Sequence, residues 1–203
     1  MNLWPVFQLT KGSDMADYTT VDAVKAYLRI TTDSDDTLLA DLIRRACRII
    51  DDHCARRFDS WVETRVYDAT NAQITGHTLL LDADLLALTA LTNGDGSAID
   101  LAATILRPVN WPPYFGISLR EGSGLNWVTS SAPGCAIRVT GTWGYAETVP
   151  EPIEHAAVRL AAWLYRQRDG SATDELLPRD VRDLLAPYIR LGLKSCGWAS
   201  SEN

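Results

Sequence analysis

The hydrophobic pattern of this chain changes period twice, and that constrains the fold more than any single motif. Val21, Val24, Tyr27 and Leu28 recur at helical spacing, and Leu38, Leu39, Leu42, Ile43, Ala46, Cys47, Ile49 and Ile50 form a broad second stripe. From Trp61 the pattern turns into short alternating segments, and after Pro150 helical spacing returns with Ile153, Ala156, Ala157, Leu160, Ala161 and Leu164. Helix, helix, sheet, helix, helix predicts an α+β fold. It is a small helical bundle with an antiparallel β-sheet or sandwich inserted between the second and third main helices. The divisions are an N-terminal extension at 1–16, the leading half of the helical bundle at 17–60, the inserted β domain at 61–147, the trailing half of the bundle with a closing helix at 148–195, and a tail at 196–203.

Local chemistry sets the expected ends of these elements. Thr19-Thr20-Val21-Asp22 fits a capping box with Asp in the distal place, opening a helix to about Ile30. Asp33, Asp35 and Asp36 complement the dipole of a helix from about Asp36 to His53 or beyond. Strands are expected at Trp61–Tyr67, His77–Leu81, Leu88–Leu91, Ala98–Leu106, Phe115–Arg120 and Cys135–Trp143, seven or so in all. Asn93-Gly94 supplies the positive φ angles of a tight hairpin. Trp111-Pro112-Pro113-Tyr114 is a rigid aromatic loop, and Pro187 should kink or divide the last helix.

Charge excludes whole classes of function. The net charge is −7, and residues 61–150 carry 4 Lys/Arg against 8 Asp/Glu. No segment is basic enough to neutralise a row of phosphates. No apolar run approaches the roughly 20 residues that cross a bilayer, and residues 1–5 lack a signal peptide's features, so a soluble chain with no membrane partner is expected.

Catalytic and metal motifs are missing from the sequence. There is no G-x-S-x-G elbow, H-E-x-x-H, P-loop or G-x-G-x-x-G after a strand. Cys47 and Cys54 lie about two helical turns apart, too far to bridge, and they read as buried thiols even with His53 adjacent. His155 reads as an ordinary helix residue. Asp33, Asp35 and Asp36 lack the Gly and Glu of a calcium loop, and Asp95 with Ser97 is explained by the turn. No enzyme, cofactor or metal is expected.

Several stretches together resemble a known family. Tyr18 to Ile30, Asp35 to Ile43 running on to Cys54-Ala55-Arg56-Arg57-Phe58, Val139 to Tyr145 followed by Pro152-Ile153, Ala161 to Asp169, and Val181 to Tyr188 are similar to tailed-phage head-to-tail connector proteins, also called adaptor or head-completion proteins. The likeness spans roughly residues 17–190, with residues 1–16 and the Trp198 tail as departures. It implies a structural virion protein of the neck, made in the host cytoplasm, forming a ring of usually twelve copies that joins the portal to the next neck or tail component while DNA passes through the lumen.

That expectation sorts the surface residues by physical type. Arg44, Arg45, Arg48 and Asp51 on the second helix are candidates for contacts between subunits. Leu184, Leu185, Tyr188, Ile189, Leu191, Leu193 and Trp198 offer apolar anchors for docking on the portal. Asn93, Gly94, Trp111, Pro112, Pro113 and Tyr114 are candidates for the tail-side surface. Two other readings stand beside this one. A ligand- or carbohydrate-binding β module would expose Trp61, Trp111, Trp127 and Trp143 on one face, and a small hydrolase would need a depressed thiol pKa at Cys54 or Cys135.

Overall fold

The 19-residue helix α2 (Asp36–Cys54) organises the helical part. The computed structural model describes residues 16–68, 73–129, 135–167 and 177–190. Ahead of α2 lies α1 (Val21–Leu28), and after the sheet come α3 (Glu151–Gln167) and α4 (Arg179–Leu185). Leu39, Ile43, Ala46, Cys47 and Ile50 of α2 are buried with Val24 of α1, Ile153, Ala156, Ala157, Leu160 and Ala161 of α3, and Val181 and Leu185 of α4. Small residues on α3 let it lie close against the larger side chains of α2. Each fully buried Leu or Ile contributes on the order of 1.5–3 kcal/mol.

Among the described residues the sheet has six strands: β1 (Trp61–Asp68), β2 (Ile74–Thr75), β3 (Thr78–Thr92), β4 (Thr104–Arg107), β5 (Tyr114–Leu119) and β6 (Ala136–Trp143). Every pairing is antiparallel, in the order β1-β6-β3-β5-β4, with β2 paired to β3. The first half of β3 pairs with β5 and the second half with β6, so Leu85 faces both Tyr114 and Trp143. Tyr67, Leu79, Leu81, Leu85, Ile117, Ile137, Val139 and Trp143 make a second hydrophobic cluster, separate from that of the helices.

Several local expectations are corrected. Thr20, not Thr19, caps α1, accepting from the Ala23 amide at 3.2 Å, and the helix stops at Leu28 because Arg29 turns left-handed at φ 60°. Thr19 is buried instead. The strands expected at His77–Leu81 and Leu88–Leu91 are one continuous 15-residue strand with irregular register, while the short β2 was not expected. The region Ala98–Leu106 divides into a bridge at Ala98, a 3-10 turn at Leu101–Ala103 and β4. The tightest hairpin is at Gly76-His77, where Thr75 pairs with Thr78 and Gly76 takes φ +60°. At 93–97 the positive φ belongs to Gly96, not to Asn93 or Gly94. Pro187 does divide the closing helix, leaving a 3-10 turn at Ala186–Tyr188.

Candidate assembly surfaces

The two cores meet at a junction built from aromatic rings and paired charges. Tyr18, Phe58, Tyr145 and Tyr188 come from four separate stretches of the chain and contact one another edge to face, with centroids 5.4–5.9 Å apart. Beside them, Asp84 of β3 is 5% exposed and faces both Arg56, 3.5 Å away, and Arg190, 3.9 Å away. The Arg190 guanidinium also donates to the Leu81 and Asp82 carbonyls at 2.8 and 2.7 Å, while its amide donates to the Cys54 carbonyl at 2.9 Å. One residue after the closing helix therefore holds α2 and β3 together.

A cleft of about 490 Å³ opens at this junction, lined by Arg56, Arg57, Trp61, Arg65, Asp82 and Asp84 among others. Its charges are already matched. Arg57 forms a forked pair with Asp59 and stacks 4.0 Å from the Trp61 ring, and Arg65 pairs with Asp82 at 2.9 Å. Tyr67 donates to the same Asp82 at 2.6 Å. These pairs tie the helical core to the sheet.

Of the subunit-contact candidates, Arg44 and Arg45 are exposed on α2, with Arg44 3.2 Å from Asp41. Arg48 lies 3.6 Å from Asp51, but Asp51 faces inward. Its carboxylate accepts from the Tyr18 hydroxyl at 2.5 Å, and the same hydroxyl accepts from the Phe58 amide at 3.0 Å. Burial pushes the Asp51 carboxyl up to about 6, with the Tyr18 hydrogen bond opposing the shift.

The portal candidates divide in the same way. Leu185 is fully buried, Leu184 and Tyr188 pack on the helical core, and Ile189 is half-buried. Leu191, Leu193 and Trp198 lie outside the described residues, as do Trp4, Phe7 and Cys196. Among the tail-side candidates, Trp111 is 67% exposed with Val109 and Phe115 exposed beside it. Pro112 is exposed, while Pro113 and Tyr114 are half-buried. Asn93 and Gly94 are buried. Asn93 donates to the Asn126 carbonyl at 3.0 Å and accepts from the Val128 amide at 3.0 Å. A Cβ on Gly94 would stand 2.1 Å from the Val128 carbonyl oxygen, so glycine is required there for close approach rather than for φ.

The remaining sequence candidates resolve simply. Lys25 bonds Asp33 at 2.6 Å and Asp36 at 2.8 Å, which holds its ammonium above its ordinary pKa and the Asp33 carboxyl below its own. Asp95 accepts from the Ser97 amide and hydroxyl, as a turn requires. Among the described residues, no group of three His, Cys, Asp or Glu side chains is placed to hold a metal. Burial pushes the Cys47 and Cys54 thiols up to about 11, the opposite of an activated nucleophile. Nor do the four sheet tryptophans share an exposed face. Trp143 is fully buried, Trp61 is covered by Arg57, and the Trp127 indole donates to the His77 carbonyl at 2.8 Å.

Residues 18–79 match the family described as phage gp6-like head-tail connector protein, which bears out the resemblance read from the helical residues. No curated protein matches the chain in sequence. Among solved structures, a chain in the virion of a native gene transfer agent particle is 22% identical, with a TM-score of 0.61 over 85% of this chain and 90% of that one. A chain from the neck of an empty particle, computed with C6 symmetry, gives 19% identity and 0.59 over 85% and 90%. One from the neck of a native particle, computed with C12 symmetry, gives 18% and 0.56 over 85% and 92%. The α+β architecture is thus that of known neck-particle chains.

Proposed function

We propose, from the connector segment at residues 18–79 and the neck-chain fold shared over most of its length, that this protein is a structural component of a phage-type virion neck. Copies close into a ring, twelve in number, which joins the portal to the next head-completion or tail component and leaves a lumen for DNA. The observation that carries this reading is the agreement of two independent likenesses, one of sequence in the helical region and one of fold across helices and sheet. The C12 and C6 symmetry of the related necks supports a cyclic arrangement. So does the charge, because an acidic chain without a basic patch suits a channel past which DNA must slide. The role is structural rather than enzymatic.

Within such a ring, Arg44 and Arg45 on α2 meet the neighbouring copy, with Arg48 at their side and Asp51 bracing the helix from within. Leu191, Leu193 and Trp198, following directly on Arg190, reach the portal, while Leu184, Leu185, Tyr188 and Ile189 form the packed base of that segment. Trp111 and Pro112, with Pro113 and Tyr114 behind them, face the tail side, and Asn93 and Gly94 hold the neighbouring loop from beneath. The test is cryo-electron microscopy of the cognate portal with and without this chain. An added ring of portal-matched symmetry, touching the portal through the segment after residue 184, is the expected result. Absence of added density at saturating protein overturns the portal assignment.

A further inference from the structure

Residues 109–115, where β4 turns into β5, carry three of the seven large hydrophobic side chains that are exposed among the described residues: Val109, Trp111 and Phe115. Beside them lies a groove of about 400 Å³, lined by Leu86, Ala87, Pro112, Pro113, Thr142 and Tyr145 among others. Glu147 is its one charged lining residue and is exposed. Val62, opposite Thr142 on β1 and 77% exposed, extends the apolar surface past the groove. Trp111 does not line the groove; it stands next to Pro112, which does. A knob and a hole therefore lie side by side on one surface.

That arrangement identifies what covers it. A chain with both halves of a contact on the same surface is complementary to itself, because a two-fold axis lets each copy place its knob in the hole of the other. The charges agree with this. The exposed Arg107 stands four residues before Trp111, so a Trp111 seated in the second copy carries Arg107 toward the acid of that groove. Pro108, Pro112 and Pro113 restrict the loop before it docks, which lowers the ordering cost. The area is also sufficient. Each buried Trp covers about 150–250 Å². Two of them, with the grooves that receive them and Val109 and Phe115 beside them, bury on the order of 1,000 Å², the threshold for a specific interface.

We propose that the free chain pairs with a second copy across this surface, with Trp111 of each copy seated in the groove of the other. The contact is two-fold and so differs from the cyclic contacts of a ring. One consequence rests on the ring reading above: the pairing covers the tail-side surface until a tail component displaces the second copy.

Sedimentation equilibrium of the full chain without portal, between about 1 and 100 µM, tests this, with urea midpoints as the control for folding. The unaltered chain is expected to pass from monomer to dimer. Trp111→Ala removes the knob and Ala87→Arg blocks the hole; both side chains are exposed, so the urea midpoints should hold. Each variant alone is expected to dimerise at least about tenfold more weakly. An equimolar mixture of the two should recover a mixed dimer, because one variant keeps an open groove and the other keeps its Trp111. Monomer at every concentration, undiminished dimer in Trp111→Ala, or no recovery in the mixture overturns the proposal. A larger cyclic assembly that Trp111→Ala leaves intact overturns the pairing while leaving the ring reading in place. Should Ala87→Arg fail to fold, the Trp111→Ala comparison decides alone.

Discussion

Tyr18 and Asp51 are joined by a 2.5 Å hydrogen bond that runs from the entry of the fold to the middle helix, and the tyrosine oxygen then accepts the Phe58 amide. One phenol thus serves one oxygen of a buried carboxylate and a buried backbone donor. Tyr18→Phe leaves the Phe58 amide without its acceptor and Asp51 with only the longer ion pair to Arg48, and we expect a loss of about 2–4 kcal/mol, read from urea unfolding at pH 7.

The same pair gives the stability a pH dependence. The Asp51 carboxyl is raised from 3.8 to about 6 in the folded protein, so the native state binds more protons than the unfolded chain between those values. Ionising Asp51 therefore costs stability above pH 6, and the cost is relieved as the pH falls toward 4, by an amount on the order of 1–3 kcal/mol. Asp84, also raised by burial, acts in the same sense. Unfolding midpoints at pH 7 and pH 5 should show the chain gaining from Asp51 on acidification, and Asp51→Asn should shrink that gain. An unchanged slope in the variant would exclude Asp51 as its source.

Gly144 adopts φ +121°, and a Cβ there would stand 2.0 Å from the Asp59 carbonyl oxygen. Gly144→Ala must displace backbone where the last strand rejoins the helical bundle, and a loss of about 3 kcal/mol or more is expected. Gly122, at φ +82° with open space around it, is the control, and Gly122→Ala should cost only about 1 kcal/mol. Thermal melts of the two variants separate steric from conformational cost.

Packing and docking within the closing segment separate by mutation. Leu185→Ala should destabilise the isolated protein by about 2–5 kcal/mol, because the side chain is fully buried. Leu193→Asp and Trp198→Ala should leave the urea midpoint unchanged and abolish co-sedimentation with the portal. Retained co-sedimentation in both would reassign the docking segment.

Cys47 and Cys54 are fully buried, with thiols raised to about 11. Iodoacetamide labelling at pH 8 should be at least about a hundredfold slower than for an exposed cysteine, and ordinary in urea. Fast labelling of Cys54 in the native protein would reopen the hydrolase reading.

The bundle was legible because its information is local. The α2 stripe, the small-residue face of α3 and Pro187 each state their structure within a few residues. The sheet was less so, and β3 shows why. Asp82 and Asp84 interrupt its apolar run and suggest a break, yet their partners are Arg65 and Tyr67 on β1 and Arg56 and Arg190 from the helical bundle. A carboxylate neutralised from more than a hundred residues away looks like a turn in the sequence. Asn93-Gly94 misled for a related reason, since the Asn side chain, besides accepting from the Gly94 amide, ties the turn to residues 126–128, and the positive φ falls on Gly96 instead. Of the assembly surfaces, charged and apolar residue types could be picked out, but which of them face inward, as Asp51 and Leu185 do, depends on packing that no local pattern encodes.

Arg190 has a mechanical consequence. Any pull on the chain beyond it is shared at once between the Cys54 carbonyl at the end of α2 and the Leu81 and Asp82 carbonyls of β3. Tension from a docked partner would thus be resisted by helices and sheet in parallel, as by a bolt passed through two plates, and would not peel the closing turn away from one of them.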